Sequence, residues 1–245
     1  MLWGRIIRLL MPESWVKSHS PVHYTPWPLP WFAAIAALMA AALYTRLPGK
    51  FIFGPHATVA TTFRWLVPGL VVILVAALVV IHREELRVHH TIRTLLRRRM
   101  AIALIAIINA ANILSVVLLV RFIINGGKAT GHELVLASIN IWWTNILVFA
   151  LWFWEIDRGG PAARAHHTET DPDFLFPQMT LPELFKTPLS PTFVDYFFVA
   201  FTNAAAFSPT DTMPVTPRAK LLMLVEAGVS LLTLLMVASR AVNIL

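Results

Sequence analysis

The chain has 245 residues, of which 57% are hydrophobic and 13% are charged, and it contains no cysteine. This composition lies outside the range of soluble globular domains and predicts an integral membrane protein, while the lack of cysteine excludes disulfides, thiolate metal sites and cysteine nucleophiles. The formal net charge is +7, and the arginines are concentrated in one loop and in short flanks. That distribution indicates membrane orientation and contact with anionic lipid headgroups, and it argues against a nucleic-acid partner.

Residues 1–29 form the first predicted region. Basic residues are scattered here among apolar and aromatic side chains, and a proline-rich run follows. The apolar stretch behind the basic start is interrupted by Arg8 and closed by Pro12, so it is too short for a secretory signal. We expect an interfacial segment that lies on the membrane surface.

Residues 30–124 are predicted to form a membrane region of three helices. The apolar segments 31–47 and 65–81 are short for a membrane span, whereas 100–124 is long enough to cross fully. The loop 82–99 between the second and third spans carries six arginines. These arginines do not recur at every third position of an apolar span, as a voltage-sensing helix requires, so a helical cytoplasmic loop is favoured over a sensor.

Three polar residues of the third span recur at a spacing of three, which places them on one helix face. They are Asn109, Asn112 and Ser115. Such a face is typical of hydrogen bonding between membrane helices. A solute path is the alternative interpretation.

Residues 125–245 are predicted to be pore-like, and the fold class is an all-α polytopic membrane protein with about five transmembrane helices. The predicted order is a fourth span at 134–154, a connector at 155–192, a short helix at 193–207, a filter-like polar turn at 208–217 and a fifth span at 218–243. The short helix would reach about 22 Å, which is less than the roughly 30 Å of a hydrocarbon core. We therefore expect a re-entrant, pore-type helix between the fourth and fifth spans, because the prolines of the turn exclude a continuous helix.

The connector follows directly on the fourth span. Glu155, Asp157 and Arg158 are interpreted as an interfacial ion pair before a glycine-proline helix stop, with a functional acidic cluster as the alternative. Six prolines between Pro161 and Pro191 favour an extended or surface-lying segment.

The last 55 or so residues resemble a known family. The run PVTPRAKLLMLVEAGVSLLTLLMVASRAV, which begins at Pro214, is similar to the filter exit and inner helix of small bacterial members of the potassium-channel pore superfamily. In that family an Asp, a Thr-Pro element and a helix with a Glu-Ala pair follow the filter. The resemblance implies a pore-loop architecture and a pore built from several copies of the chain.

The filter itself departs from the family pattern. Where the family has Thr-Val-Gly-Tyr-Gly before the Asp, this chain has Ala206, Phe207, Ser208, Pro209 and Thr210 before Asp211. Without those glycines the stacked carbonyl rings that replace the hydration shell of potassium are not expected. The resemblance thus extends to architecture and not to potassium selectivity.

The candidate pore residues are those of the filter-like stretch, and the constriction is assigned to Ser208, Thr210, Asp211 and Thr212. A ring of Asp211 carboxylates in a homotetramer would attract cations. The alternative is a simple turn with capping side chains, because Asp and Ser before proline also favour turns.

Three residues of the predicted fifth span are further candidates. Charges inside a membrane are costly, so we expect Glu226 and Arg240 to be paired or to face water. Gly228 is expected to let neighbouring helices approach or, alternatively, to bend during gating.

The leading hypothesis is a homotetrameric, cation-conducting channel of the cell membrane with weak potassium selectivity, whose partners are lipids, inorganic ions and copies of itself. No catalytic set, cofactor motif or metal-ligand spacing is present in the sequence, so an enzyme is not expected. A non-conducting scaffold or partner-binding subunit is the main alternative, and a transporter is disfavoured by the missing internal repeat. The distribution of Lys and Arg predicts a cytoplasmic N-terminus and a cytoplasmic connector. Either the pore is then inverted relative to potassium channels, or the number of spans differs by one from the predicted count.

Overall fold

The structure is a computed structural model, and it describes residues 31–47, 65–66, 68–73, 75–76, 91–126, 130–165, 170–180, 191–206 and 211–242. The helices of this part are α1 (Trp31–Arg46), α2 (Thr91–Ile124), α3 (Gly131–Ile156), α4 (Pro161–Ala165), α5 (Pro177–Thr180), α6 (Phe193–Ala206) and α7 (Pro217–Val242). A 3-10 turn, Asp157–Gly159, follows α3. The strands β1 (Phe174–Leu175) and β2 (Met213–Pro214) pair in antiparallel fashion, and the described positions of 65–76 are helical.

Three helical segments are long and apolar enough to cross a membrane, namely Leu95–Ile124, Gly131–Gly159 and Pro217–Ser239. Two shorter apolar helices, Ala34–Arg46 and Phe193–Ala205, accompany them. The prediction of a helical protein with several membrane-length apolar segments is thereby confirmed. The count of five spans stays a prediction, because α1 has only 16 residues and the second predicted span is described only in part.

Two predicted segments differ from the structure. Helix α2 begins at Thr91 instead of residue 100, so the second half of the arginine-rich loop continues the third span as one helix. Residues 91–99 contain neither proline nor glycine, and nothing in their backbone interrupts the helix. The described part of the connector contains α4, β1 and α5 and is therefore not extended throughout, while the surface-lying alternative stays a prediction.

Helix α3 is the central element of the bundle, since α1, α2, α6 and α7 all pack against it. Its start is fixed by a capping box: the Thr130 hydroxyl accepts the Glu133 N–H at 3.2 Å, and the Glu133 carboxylate accepts the Thr130 N–H at 2.9 Å. Along its middle, residues 144–151 are buried without interruption. A helix that is apolar on all sides requires neighbours all round, which is why the other long helices surround α3.

Contacts between helices show which of their ends lie together. Near the start of α2, Arg98 Nε lies 3.9 Å from the Oε1 of Glu155 near the end of α3. In the first turn of α6, the Tyr196 hydroxyl donates to the carboxylate of Asp157 at 2.6 Å. We call this end of the bundle, marked by Arg98, Glu155, Asp157 and Tyr196, the connector end.

Helix α7 also starts at the connector end. In its first turn, Arg218 donates to the carboxylate of Asp173, whose own backbone N–H donates to Asp157 at 2.8 Å. Helices α6 and α7 therefore enter the bundle from the same end and run parallel to each other. Asn203 on α6 and Glu226 on α7 lie at the same depth in the bundle, because the Asn203 amide is 2.7 Å from the carboxylate of Glu226.

Helix α6 is too short to reach the opposite end. Its 14 residues give a length of about 21 Å, against roughly 30 Å for a hydrocarbon core. Beyond α6, the chain is next described from Asp211 on, and Met213–Pro214 pairs with β1 at the connector end. Both ends of the segment between α6 and α7 are thus located: one inside the bundle and the other at the end from which α6 entered.

The chain contains no natural cysteine, so this layout can be tested with single cysteines. Thr170 and Asn125 are both exposed and lie beyond opposite ends of α3. We expect a Thr170→Cys variant in intact cells to react only with a membrane-permeant thiol reagent, because the arginines at the start of α2 favour the cytoplasmic side. An Asn125→Cys variant should react with an impermeant reagent, and labelling of both variants from one side would contradict the arrangement.

Candidate functional site

The predicted filter-like residues are only partly described. Phe207, Ser208, Pro209 and Thr210 lie outside the described residues, as does the side chain of Ala206. Asp211 is exposed and Thr212 is buried. The assignment of a constriction to this stretch therefore stays a prediction.

The filter-like turn contains the N-cap of α7, and the capping residue, Thr216, is not one of the predicted site residues. Thr216 Oγ1 accepts the backbone N–H of Ala219 at 3.4 Å, which makes Thr216 the N-cap of α7. Pro217 occupies the first helical position, where its missing N–H is harmless. Asp211 lies five positions before this cap and is not the capping residue.

Asp157 is the principal anchor of the connector end. The side chain is fully buried, and its Oδ1 accepts the backbone N–H groups of Asp173 at 2.8 Å and Phe174 at 3.3 Å. Its Oδ2 accepts the Tyr196 hydroxyl at 2.6 Å and the Arg158 Nε–H at 3.1 Å. One carboxylate thus joins the end of α3, the connector and the start of α6.

The predicted ion pair of Asp157 and Arg158 is present, and both side chains are buried within the protein. The two side chains are 0% and 3% exposed. Aromatic rings cover this site: Phe174 lies 5.0 Å from Phe153 and Phe176 lies 5.0 Å from Tyr196, measured between ring centroids. This burial was not predicted, because the position of these residues at the end of an apolar segment gives no information about what folds over them.

A sharp chain reversal brings the connector back over Asp157. Arg158, Gly159 and Gly160 have φ angles of 51°, 82° and 93°, all in the left-handed region. A Cβ at position 160 would lie 2.9 Å from the backbone oxygen of Glu155, so only glycine fits. The glycine pair that predicts a helix stop also provides this close approach.

Arg164 closes the end of α3. Its guanidinium donates to the backbone oxygens of Asp157 at 2.6 Å and Trp154 at 3.0 Å, which satisfies carbonyls that the end of a helix leaves without partners. It also lies over the rings of Trp154 and Tyr196, with 5.7 Å and 5.4 Å between its Cζ and the two centroids. Arg164 therefore contributes hydrogen bonds and cation-π contacts to the connector end.

A second carboxylate, Asp173, ties the connector to α7. Arg218 binds it in bidentate fashion, with Nε 2.5 Å from Oδ1 and Nη2 2.6 Å from Oδ2, and the Thr216 hydroxyl donates to Oδ1 as well. The backbone oxygen of Asp173 accepts the Val215 N–H at 2.9 Å. This charge-assisted contact fixes the start of α7 relative to the connector.

The predicted polar face of α2 is confirmed in part. Asn112 donates to Asn145 Oδ1 on α3 at 3.5 Å, which is a long hydrogen bond between helices. Ser115 instead donates to the backbone oxygen of Ala111 within α2. Asn109 Oδ1 is buried and has no hydrogen-bond partner.

Asn145 and Asn203 connect three helices inside the bundle. Asn145 Nδ2 donates to the backbone oxygen of Glu226 and to Ser230 Oγ, both at 3.0 Å. Asn203 Nδ2 donates to the backbone oxygen of Met223 at 2.9 Å and to Glu226 Oε2 at 2.7 Å. Together with Asn112, these amides form a polar chain from α2 through α3 and α7 to α6, which we call the amide chain.

Glu226, which was expected to be paired or to face water, is buried and is paired with an amide. The side chain is 0% exposed, its only side-chain partner in the described part of the protein is the Asn203 amide, and its Oε1 has no hydrogen-bond partner. The pairing with Asn203 could not be read from the sequence, because the two residues are 23 positions apart on different helices. The side chain of Arg240 is outside the described residues.

Gly228 has no described neighbour within one protomer, so the expectation that it lets neighbouring helices approach stays a prediction. It lies on the exposed side of α7, and a Cβ added there would meet no described atom within 4 Å. The large apolar residues Leu221, Leu224, Leu231 and Leu235 are exposed on the same helix. No other described helix of the same protomer approaches Gly228, so this side of α7 is open to lipid or to another molecule.

We expect Asp157→Asn to lower the free energy of unfolding in detergent by about 3 kcal/mol or more, because it removes the negative charge beside the buried Arg158 and replaces one acceptor oxygen with a donor group. Tyr196→Phe removes one donor only and should cost about 1.5 to 3 kcal/mol. Asp171→Asn, at an exposed connector position, is the matched control and should stay within about 0.5 kcal/mol of the wild type. Equal stability of the Asp157 and Asp171 variants in a denaturant titration would contradict the anchoring role.

No family model, curated protein or solved structure matches the chain. The function is therefore inferred from the geometry of the chain itself. The relevant features are the parallel helices α6 and α7, which start at one end of the bundle, and the exposed carboxylate of Asp211 at the end of the segment that joins them.

Proposed function

We propose that the chain is one subunit of a homo-oligomeric, pore-loop-type channel that conducts cations with little discrimination between sodium and potassium. The observation that supports this most directly is the course of α6 and α7. A short helix ends inside the bundle at the depth of Glu226, and a long helix crosses from the same end. Pore-loop channels hold their filter between a short and a long helix with this relative direction.

An oligomer is proposed because one such loop supplies only part of a pore wall. Within one protomer α7 is the least covered of the three membrane-length helices, with 28% of its span buried. Its exposed side carries large apolar residues and the open position at Gly228. In the proposed tetramer, part of this side contacts the next subunit and part faces the pore axis.

Cation preference is assigned to Asp211. Copies of this exposed carboxylate around an axis would concentrate cations electrostatically. The described arginines nearby are held by their own protomer: Arg218 binds Asp173 and Arg164 binds backbone oxygens. The charge of Arg218 is thus partly neutralised by Asp173 within the same protomer.

Weak selectivity is proposed from residues 206–210, which contain no glycine. A potassium filter requires successive backbone carbonyls to point at the ion, and glycine permits the backbone conformations that achieve this. With an alanine, a phenylalanine, a serine, a proline and a threonine, the same ring geometry is not expected.

Orientation follows from the position of the arginines at the start of α2. Because Arg98 contacts Glu155 at the connector end, the basic cluster of α2 and the entry of α6 lie on the same side. The positive-inside bias assigns that side to the cytoplasm. The proposed pore loop therefore enters from the cytoplasmic side, which is the inverse of potassium channels.

One observation favours the scaffold alternative. The segment after Asp211 is bound to the connector by the β1–β2 pairing, and Thr212 is buried within the protomer. A loop secured in this way could act as a structural plug in a non-conducting, partner-binding subunit. The two proposals differ in whether the purified protein passes current.

In planar bilayers we expect the purified protein to conduct cations, and Asp211→Asn to lower the cation conductance by about twofold or more, because it removes one charge from every subunit. Asp171→Asn is the control, since Asp171 is also an exposed aspartate of the connector end. Equal effects of the two substitutions would remove Asp211 from the conduction path. Strong potassium selectivity would contradict the proposed filter, and the absence of current in every lipid, voltage and pH tested would support the scaffold.

A further inference from the structure

Glu226 is a buried acid that the proposed function does not use. Its carboxyl group lies on α7 at the contact with α6, where Asn203 Nδ2 donates to Oε2 at 2.7 Å. The second oxygen, Oε1, is buried and has no hydrogen-bond partner in the described part of the protein. The group is therefore placed for a small ligand on Oε1.

Among the described residues, the surroundings of Glu226 provide amides and hydroxyls but no cation. The charged or titratable residues of the helices packed around it lie towards the helix ends: Tyr44 and Arg46 on α1, Arg93, Arg97, Arg98, Arg99 and Arg121 on α2, His132, Glu133 and Glu155 on α3, Asp195 and Tyr196 on α6, and Arg218, Lys220 and Arg240 on α7. None of the described hydrogen bonds or ion pairs of these residues reaches Glu226. An ionised carboxylate without a counter-charge is strongly disfavoured in such an apolar interior.

The amide of Asn203 identifies which carboxyl oxygen is free. Its Nδ2 group donates both to Glu226 Oε2 and to the backbone oxygen of Met223 at 2.9 Å. Turning the amide round would place its oxygen against two acceptors, so this orientation is the one that satisfies both bonds. Oε2 is then the acceptor, which leaves Oε1 as the oxygen that a proton would occupy.

We propose that Glu226 is a proton-binding site inside the helix bundle and that its bound proton stabilises the contact between α6 and α7. The inference is independent of the channel proposal, because it requires only the helix contact. Glu226 is the one ionisable member of the amide chain formed with Asn112, Asn145 and Asn203. Loss of its proton would leave a carboxylate whose only charge-stabilising partner is one amide.

Infrared spectroscopy of the purified protein in lipid nanodiscs tests the site directly. At neutral pH we expect the carbonyl stretching band of a protonated carboxyl group in the wild type and its loss in Glu226→Gln. Glu133→Gln, which changes a capping carboxylate at the start of α3, should leave the band unchanged. Identical spectra of the wild type and Glu226→Gln would overturn the proposal.

Asn203→Leu keeps the carboxyl group of Glu226 and removes the amide that donates to it. This variant tests the site even if Glu226→Gln does not fold. We expect the band to move to higher wavenumber, because the carbonyl oxygen loses its hydrogen bond; an unchanged band would contradict the geometry. Absence of the band from the wild type at neutral pH, in sodium and in potassium alike, would show an ionised carboxylate and would overturn the proton assignment.

The link to helix packing has its own readout. The folded protein holds a proton that the unfolded chain releases, so the stability of the wild type should fall as pH rises. We expect the apparent Tm in nanodiscs to shift downwards at alkaline pH in the wild type and to shift less in Glu226→Gln. Equal shifts in both proteins would refute the coupling between the proton and the α6–α7 contact.

Discussion

The buried carboxylate of Asp157 must be surrounded by donors, because a charge in an apolar environment is costly unless each of its oxygens is hydrogen-bonded. Its four donors come from the chain reversal after α3, the connector and α6. The positions of these segments are consequently linked: moving any one of them removes a donor from a group that cannot reach water. Through the backbone of Asp173 the same constraint extends to Arg218 and the start of α7.

The interior of the bundle uses a different kind of polar contact. At the connector end, carboxylates meet guanidinium groups and backbone N–H groups, whereas deeper contacts are made by neutral amides such as Asn145 and Asn203. Neutral donors are less costly to bury than charges. Glu226 is the exception, because it is an ionisable group among the neutral amides of the interior. In the proposed protonated form, its carboxyl group would be neutral like theirs.

The sequence was informative where backbone chemistry decides the structure. Proline positions, glycine pairs and apolar lengths predicted where α3 ends and that the helix from residue 193 is too short to cross, and the structure has that helix at Phe193–Ala206. The spacing of Thr130 and Glu133, and of Thr192 and Asp195, is typical of helix N-caps, although neither pair was among the predicted features. Long-range partners were not readable. Asp173 and Arg218 are 45 positions apart, and nothing in local composition selects one arginine among many.

Helix α6 ends at Ala206 inside the bundle, and this has an electrostatic consequence that involves no side chain. The aligned peptide dipoles of a helix leave about half a negative elementary charge at its C-terminus. Because α6 enters from the connector end, that negative pole points to the interior of the membrane, where screening by water is weak. Each protomer therefore brings a negative potential to mid-depth from its backbone alone, and copies related by a symmetry axis would superimpose their fields on that axis.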